Sequence, residues 1–193
     1  QAPTTPTVEK PTVTENAKKS ATTAPVSKLS KADSLYKKGD YKIGVVNIIG
    51  RLFMEPLDCP FKAAKKEIDV LKKETPIIIC DFHAEATSEK IAMGWHLDGQ
   101  ASLVYGTHTH VQTADERILP SGTAYISDIG MVGPKDSIIG MDKDSALEKF
   151  LTGVPVHFKV AKDDLQVDGI ITEIDKTTGK ALSIKRIQHK VEI

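Results

Sequence analysis

A chain of 193 residues with 40% hydrophobic and 27% charged content is long enough for one domain with a real core. Lysine plus arginine and aspartate plus glutamate both number 26, so no global charge draws it to nucleic acid or an anionic membrane. No apolar run approaches the roughly 20 residues that span a bilayer, and two cysteines, Cys59 and Cys80, are too few for a disulfide scaffold or a zinc knuckle.

Residues 1–34 read as a disordered or extended Pro/Thr-rich linker. Up to residue 30 the chain has no glycine and no aromatic residue, and Pro3, Pro6, Pro11 and Pro25 alternate with seven threonines. Such a stretch cannot bury enough apolar surface to offset its ordering entropy. A single domain is expected over 35–193. Leu35-Tyr36, a turn at Gly39-Asp40 and the run Ile43 to Ile49 suggest a hairpin leading into a buried strand, with one helical turn at Ala32 to Tyr36 as the alternative. Pro60 suits the first turn of a helix, and Phe61, Ala64, Ile68 and Leu71 follow at helical spacing. The run Pro76 to Phe82 is almost wholly apolar, as expected of a central strand, and His83 stands at its end. Ser88, Ile91, Ala92 and Trp95 mark the stripe of a second helix.

Ser102 to Tyr105 is the next expected strand, and Thr123 to Asp128 another, followed by the glycine-rich segment Gly130 to Pro134. A helix over Ser145 to Leu151, capped by Asp144, stops at Gly153. Three tail strands are expected, at Val156 to Val160, Val167 to Ile174 and Ala181 to Ile187. The turn Thr177-Thr178-Gly179-Lys180 joins the last two as a hairpin.

The chemistry-bearing residues gather at strand ends. His108 and His110 lie two residues apart in Gly106-Thr107-His108-Thr109-His110, so in extended backbone both imidazoles would face one side. With His83 they give three histidines at the ends of successive strands, where α/β sheets place ligands. Neutral imidazole is a common ligand for zinc, iron and manganese. A two-metal hydrolytic site also needs carboxylates to offset the repulsion of two dications. Asp81, Glu85 and Asp128 are the candidates, Asp81 equally as a carboxylate that orients a histidine and Glu85 as a first-turn helix residue. His96, His157 and His189 read as surface or core packing. No Gly-x-Ser-x-Gly elbow, Lys-bearing phosphate loop or Cys-x-x-Cys motif competes.

The segments Ile79 to Lys90 and Gly106 to Asp115 resemble the YmdB-like family of bacterial calcineurin-type metallophosphoesterases. Asn47 to Arg51, Pro56-Leu57-Asp58, Arg117 to Pro120, Thr123 to Ile126 and Gly140-Met141-Asp142 fit the same family. The resemblance runs from about Leu35 to about Arg186. It implies an α/β fold: the C-terminal half of a four-layer α/β/β/α sandwich, closed by a C-terminal β-hairpin. It also implies a phosphodiesterase acting on phosphoesters or cyclic nucleotides through divalent metal (Mn, Fe or Zn). His83 and His108 resemble ligands of one metal and His110 a ligand of the other.

The resemblance places a first aspartate, bridging glutamate, asparagine and leaving-group histidine in the family's N-terminal half, which residues 1–34 do not match and which is expected to be missing here. The expectation is therefore a site incomplete on its own, with another chain or a second copy covering an open sheet face. The alternative is a non-catalytic interaction subunit. Compartment stays open: the family implies the cytoplasm, while a start at Gln1 followed by the linker leaves export as the alternative.

Overall fold

The computed structural model describes residues 34–38, 40–55 and 57–191. The expected linker over 1–34 lies outside the described residues apart from Ser34, which opens the first strand.

Strands β1 (Ser34–Lys38) and β2 (Tyr41–Ile49) form the anticipated antiparallel hairpin, so the helical alternative at Ala32 to Tyr36 gives way to strand from Ser34. Helix α1 (Pro60–Leu71) follows, with proline in its first turn, where the missing N–H costs nothing. Its buried face is Pro60, Ala64, Ile68 and Leu71, close to the stripe read from spacing.

Strands β3 (Ile78–His83) and β4 (Leu103–Thr107) run parallel to β2, joined by helix α2 (Thr87–His96). The short strands β5 (Arg117–Ile118) and β6 (Ala124–Ile126) complete a six-stranded sheet in the order β1-β2-β3-β4-β6-β5. Strand β7 (Val132–Pro134) lies inside the expected glycine-rich loop and pairs with β8 (Leu165–Ile174), which pairs in turn with β9 (Ala181–Lys190). Between β7 and β8 stands helix α3 (Lys143–Thr152).

The pleat sorts the large sheet into two faces. Val46, Ile48, Ile78, Cys80, Phe82, Val104 and Tyr125 point to one side and pack against α1 and α2 in the main core. The opposite face carries Ile79, Leu103, Tyr105 and Ala124, which meet Ile170, Ala181 and Ile184 of the small sheet. Farther along that second face, toward the carboxyl ends of the strands, the side chains turn polar: Asn47, Asp81 and His83.

Four expectations are corrected. The second helix buries Glu89, Lys90, Met93 and Gly94, while Ile91 and Trp95 of the expected stripe are exposed, Trp95 at 51%. Polar partners decide this orientation. The Glu89 carboxylate accepts hydrogen bonds from the backbone N–H groups of Arg51 and Leu52, and Lys90 reaches Asp128. The N-cap of α3 is Asp142, whose carboxylate accepts from Ser145 N–H at 3.1 Å; Asp144 lies within the first turn. Gly153 ends that helix in the left-handed conformation, as its sequence position suggested. No strand forms over 156–160, where Val160 makes only an isolated bridge to Met141. Finally, Pro76 to Phe82 is not covered equally on both faces, because Ile79, Asp81 and His83 are only half-buried.

The C-terminal hairpin closes where expected. Asp175 Oδ1 accepts from the backbone N–H groups of Thr177 and Thr178, and Gly179 takes a positive φ of 72°. Cys59 and Cys80 are both free thiols, and burial pushes the Cys80 thiol up to about 12. Among the described residues no helix is long and apolar enough to cross a membrane.

Gly106 is the tightest point of the large sheet. A Cβ there would overlap the Ser127 carbonyl oxygen and stand 2.9 Å from Lys90 Cδ. Gly106→Ala is expected to cost about 3 kcal/mol in urea unfolding. Gly153→Ala, where a Cβ meets nothing within 4 Å, should cost only the left-handed backbone penalty of about 1 kcal/mol.

Candidate active site

Parallel pairing sets His83 beside Thr107, the last residue of β4, so the two chain ends that bear the histidines leave the sheet side by side. This is where open α/β sheets place ligands. The i, i+2 geometry expected for His108 and His110 does not hold. Both histidines have positive φ, 98° and 64°, so the backbone is not extended there and the imidazoles diverge. His108 turns to His83, and His110 turns to the carbonyl of Ile139.

A chain of hydrogen bonds fixes the first pair. Asn47 Nδ2 donates to Asp81 Oδ2 at 2.8 Å, and Thr107 Oγ1 donates to Asp81 Oδ1 at 2.9 Å. The Thr107 oxygen then accepts from His83 Nδ1 at 3.1 Å. His83 therefore carries its proton on Nδ1 and presents a lone pair at Nε2. That lone pair lies 3.1 Å from His108 Nδ1, with the two rings edge to face and centroids 4.7 Å apart. On its far side His108 Nε2 stands 3.0 Å from the Glu85 carboxylate. Burial, and then the nearby His108, hold His83 below the usual histidine pKa, which keeps Nε2 unprotonated.

The candidate carboxylates thus take distinct places. Asp81 orients His83 through Thr107, one of the two roles read from its position. Glu85 precedes α2 rather than opening it, and reaches His108. Asp128 faces neither histidine directly but holds the loop that carries them. Its Oδ2 accepts from Lys90 Nζ at 2.7 Å, from Thr109 Oγ1 at 2.6 Å and from Thr109 N–H at 3.1 Å. Its Oδ1 accepts from Gly130 N–H at 2.9 Å. The side chains of Lys90 and Asp128 are each 1% exposed. The pinned residue, Thr109, sits between the two strained histidines. Left-handed backbone at bulky residues persists only where the surroundings over-determine it.

Behind this lies another carboxylate that sequence reasoning did not single out. Asp115 accepts from Thr113 Oγ1 at 2.6 Å, from Ser127 N–H at 3.1 Å and from Ser127 Oγ at 2.5 Å. Burial opposes its ionisation, but the bonds from Ser127 and Thr113 outweigh it and hold the carboxyl below the usual range. Asn47, Glu89, Lys90 and Thr107 were likewise missed as individual site residues. The available signal was a buried-lysine register on α2, legible only once the helix face is known.

His110 donates from Nδ1 to the Ile139 carbonyl at 3.1 Å, which leaves its Nε2 with a lone pair in the neutral ring. It lines a cleft of about 470 Å³ bounded by the loops around β7 and by the β8–β9 hairpin. His96 donates from Nε2 to the Phe61 carbonyl at 3.3 Å as a surface contact, and His189 lies on the exposed end of β9, in keeping with packing roles. Among the described residues no three His, Cys, Asp or Glu side chains stand in an arrangement that holds a metal.

A mainly parallel α/β sheet with His83 and His108 meeting at its carboxyl edge defines a class of ligand-binding α/β domains. Comparison narrows it. The family model described as YmdB-like protein matches residues 27–187, and the chain belongs to this family. It is 53% identical over 151 residues to the 2′,3′-cyclic-nucleotide 2′-phosphodiesterase of Bacillus subtilis (strain 168), covering 78% of this chain and 57% of that protein. Two crystal structures are similar. A hypothetical protein from Thermus thermophilus has a TM-score of 0.74 at 38% identity, over 81% of this chain and 61% of that one. A novel phosphatase of Mycoplasma pneumoniae has a TM-score of 0.75 at 38% identity, over 81% and 56%. The chain thus spans 57% of the length of the curated relative from Bacillus.

Two outcomes check this site. Lys90→Met leaves the Asp128 charge buried without its partner and is expected to lose about 3–5 kcal/mol in urea unfolding. Asp115, with its folded pKa depressed, contributes stability that is present above the unfolded value and lost as pH falls through the folded one. Asp115→Asn should flatten that acid limb in thermal unfolding measured between pH 2 and 6 (an interval of about four units around carboxylate titration).

Proposed function

We propose that this chain supplies the histidine-bearing part of a phosphodiesterase-type hydrolase site that takes phosphodiesters of the nucleoside 2′,3′-cyclic phosphate kind. The observation that carries the reading is the Asp81–Thr107–His83 relay, which presents a lone pair at His83 Nε2 against His108. A hydrogen-bonded second partner that fixes the imidazole tautomer is the usual support of a metal-ligating histidine. The donor chemistry suits Mn, Fe or Zn. His83 and His108 would hold one cation in place of the proton they now share, and His110 Nε2 would serve a second.

When bound, such cations supply charge stabilisation to phosphoryl oxygens and an acidified water. This chain's residues do the rest: Asp81 and Thr107 hold the ring of His83, and Asp128 with Lys90 fixes the loop between the other two. Three neutral imidazoles cannot offset two dications, so we infer that acidic ligands come from outside the described residues, in another polypeptide or a further segment.

A second reading is favoured by the absence, among the described residues, of any complete three-ligand group. In it the chain is a structural or interaction subunit derived from the same fold. Both readings include a partner. Tyr36, Tyr41 and Ile49 are exposed on one face of β1 and β2, at the edge of the large sheet, and a second polypeptide or copy would cover them.

Purified chain with manganese is expected to hydrolyse bis(p-nitrophenyl) phosphate only weakly. Robust turnover that His108→Ala abolishes would sink the non-catalytic reading. Light scattering is expected to report association, and a monodisperse monomer at micromolar concentration would contradict the covered-edge reading.

A further inference from the structure

The turn that follows β2 carries a cation that the fold does not use. Of the chain's three arginines, Arg117 stands over the Trp95 ring at 5.6 Å and Arg186 pairs with Glu116 at 2.8 Å. Arg51 is exposed, and its guanidinium has no partner among the described residues. Its backbone is nonetheless tightly held. The Glu89 carboxylate, 8% exposed, accepts from Arg51 N–H at 3.2 Å and from Leu52 N–H at 3.2 Å. Gly50 N–H donates to the His83 carbonyl at 2.9 Å, so the turn begins directly beside that histidine. A buried carboxylate must find donors, and the donors of Glu89 are the two N–H groups that set the course of this turn.

The pleat sets the face on which Arg51 stands. Val46 and Ile48 lie in the main core, and a Cβ at Gly50 would meet Ala84 Cβ and Glu89 Oε2, both at 2.6 Å, so the alternation continues through Gly50 on the α2 side. Residue 51 therefore falls on the opposite face with Asn47 and Ile49, the face that Asp81 and His83 share across the parallel ladder. The other charges at this edge are committed. Lys90 is paired with Asp128, Glu85 lies against His108, and Asp81 accepts from Asn47 and Thr107. A phosphodiester is an anion with two non-bridging oxygens, and a planar guanidinium matches such a pair with parallel N–H donors. An arginine on a turn held in advance also gives up less freedom when it binds.

We propose that Arg51 is a phosphate-binding residue, whose guanidinium clasps the non-bridging oxygens of a phosphodiester anion held at the His83–His108 pair. Glu89 is then a positioning residue that acts through the backbone of the turn. This rests on the phosphodiesterase reading and adds to it the group that recognises the charge of the substrate.

The test is a proton–nitrogen NMR titration of the full chain, with zinc, using dimethyl phosphate and its neutral counterpart trimethyl phosphate. The Arg51 Nε–H signal, assigned by its loss in Arg51→Met, is expected to move with dimethyl phosphate together with the ring signals of His83 and His108. Trimethyl phosphate should move none of them. Arg51→Met, at an exposed side chain without partners, should weaken the response of the histidine rings roughly ten-fold, the worth of one charge-assisted hydrogen bond. Lys62→Met, which removes an exposed charge on α1, should leave that response unchanged. Ring responses that are equal in the wild type and Arg51→Met, equal for the two esters, or weakened as much by Lys62→Met would overturn the role of Arg51 while the phosphoester reading stands. An Arg51 signal that moves while the rings do not would place the anion elsewhere and overturn that role too. No response of any of these signals in a folded chain would overturn both.

Discussion

The geometry of the candidate site depends on one buried ion pair. Lys90 on α2 and Asp128 after β6 meet at 2.7 Å with almost no exposure. Taking two such charges out of water is expensive unless other hydrogen bonds complete their shells. Here Thr109 and Gly130 complete that of Asp128, and both lie in loops that shape the site. The pair therefore joins three segments distant in sequence: the second helix, the histidine loop and the turn into β7. Gly106 belongs to the same arrangement, because only a residue without Cβ lets the Ser127 backbone and the Lys90 stem approach β4 this closely. Such a pair adds little net stability over an apolar core. What it supplies is a fixed position for Thr109, and with it the positive φ of His108 and His110.

That strain gives the two histidines separate tasks. Had β4 continued extended past Thr107, both rings would have faced one side. The left-handed turns send His108 to His83 and His110 toward the cleft under the β8–β9 hairpin. One loop thus reaches both the His83–His108 pair and the neighbouring cleft. The hydrogen bonds on the far side of each ring decide which nitrogen is available, through Thr107 for His83 and Ile139 for His110. The carboxylates Asp81 and Asp128 act on the histidines through hydroxyl and backbone groups, as positioning residues.

The fold also explains why α2 misleads a reader of the sequence. Hydrophobic spacing selects Ile91 and Trp95 as the inner face, and burial of a lysine and a glutamate is improbable on composition alone. Each charge nonetheless has partners waiting: the Arg51–Leu52 turn for Glu89 and Asp128 for Lys90. The helix rotates to satisfy them, and Trp95 is left outside with Arg117 over its ring at 5.6 Å. Periodicity measures only the apolar part of burial, so it fails where a helix is held by polar contacts.

Much was nevertheless legible locally. The apolar run before His83, Pro60 at a helix start, Gly153 at a helix stop and the Thr177 to Lys180 turn all act through short-range physics, and each stands where the sequence placed it. The three histidines at neighbouring strand ends followed from the same local reading, because parallel strands deliver their carboxyl ends to one edge. The motifs Ile79 to Lys90 and Gly106 to Asp115 also carried the family. Tertiary structure alone decided which way each imidazole points, which face of α2 is buried and that Asp128 serves the loop rather than a ligand position. These are set by contacts between residues 19 to 38 positions apart, such as Lys90 with Thr109 and Asp128. Local propensity cannot encode such contacts, because they exist only after the sheet has brought those segments together.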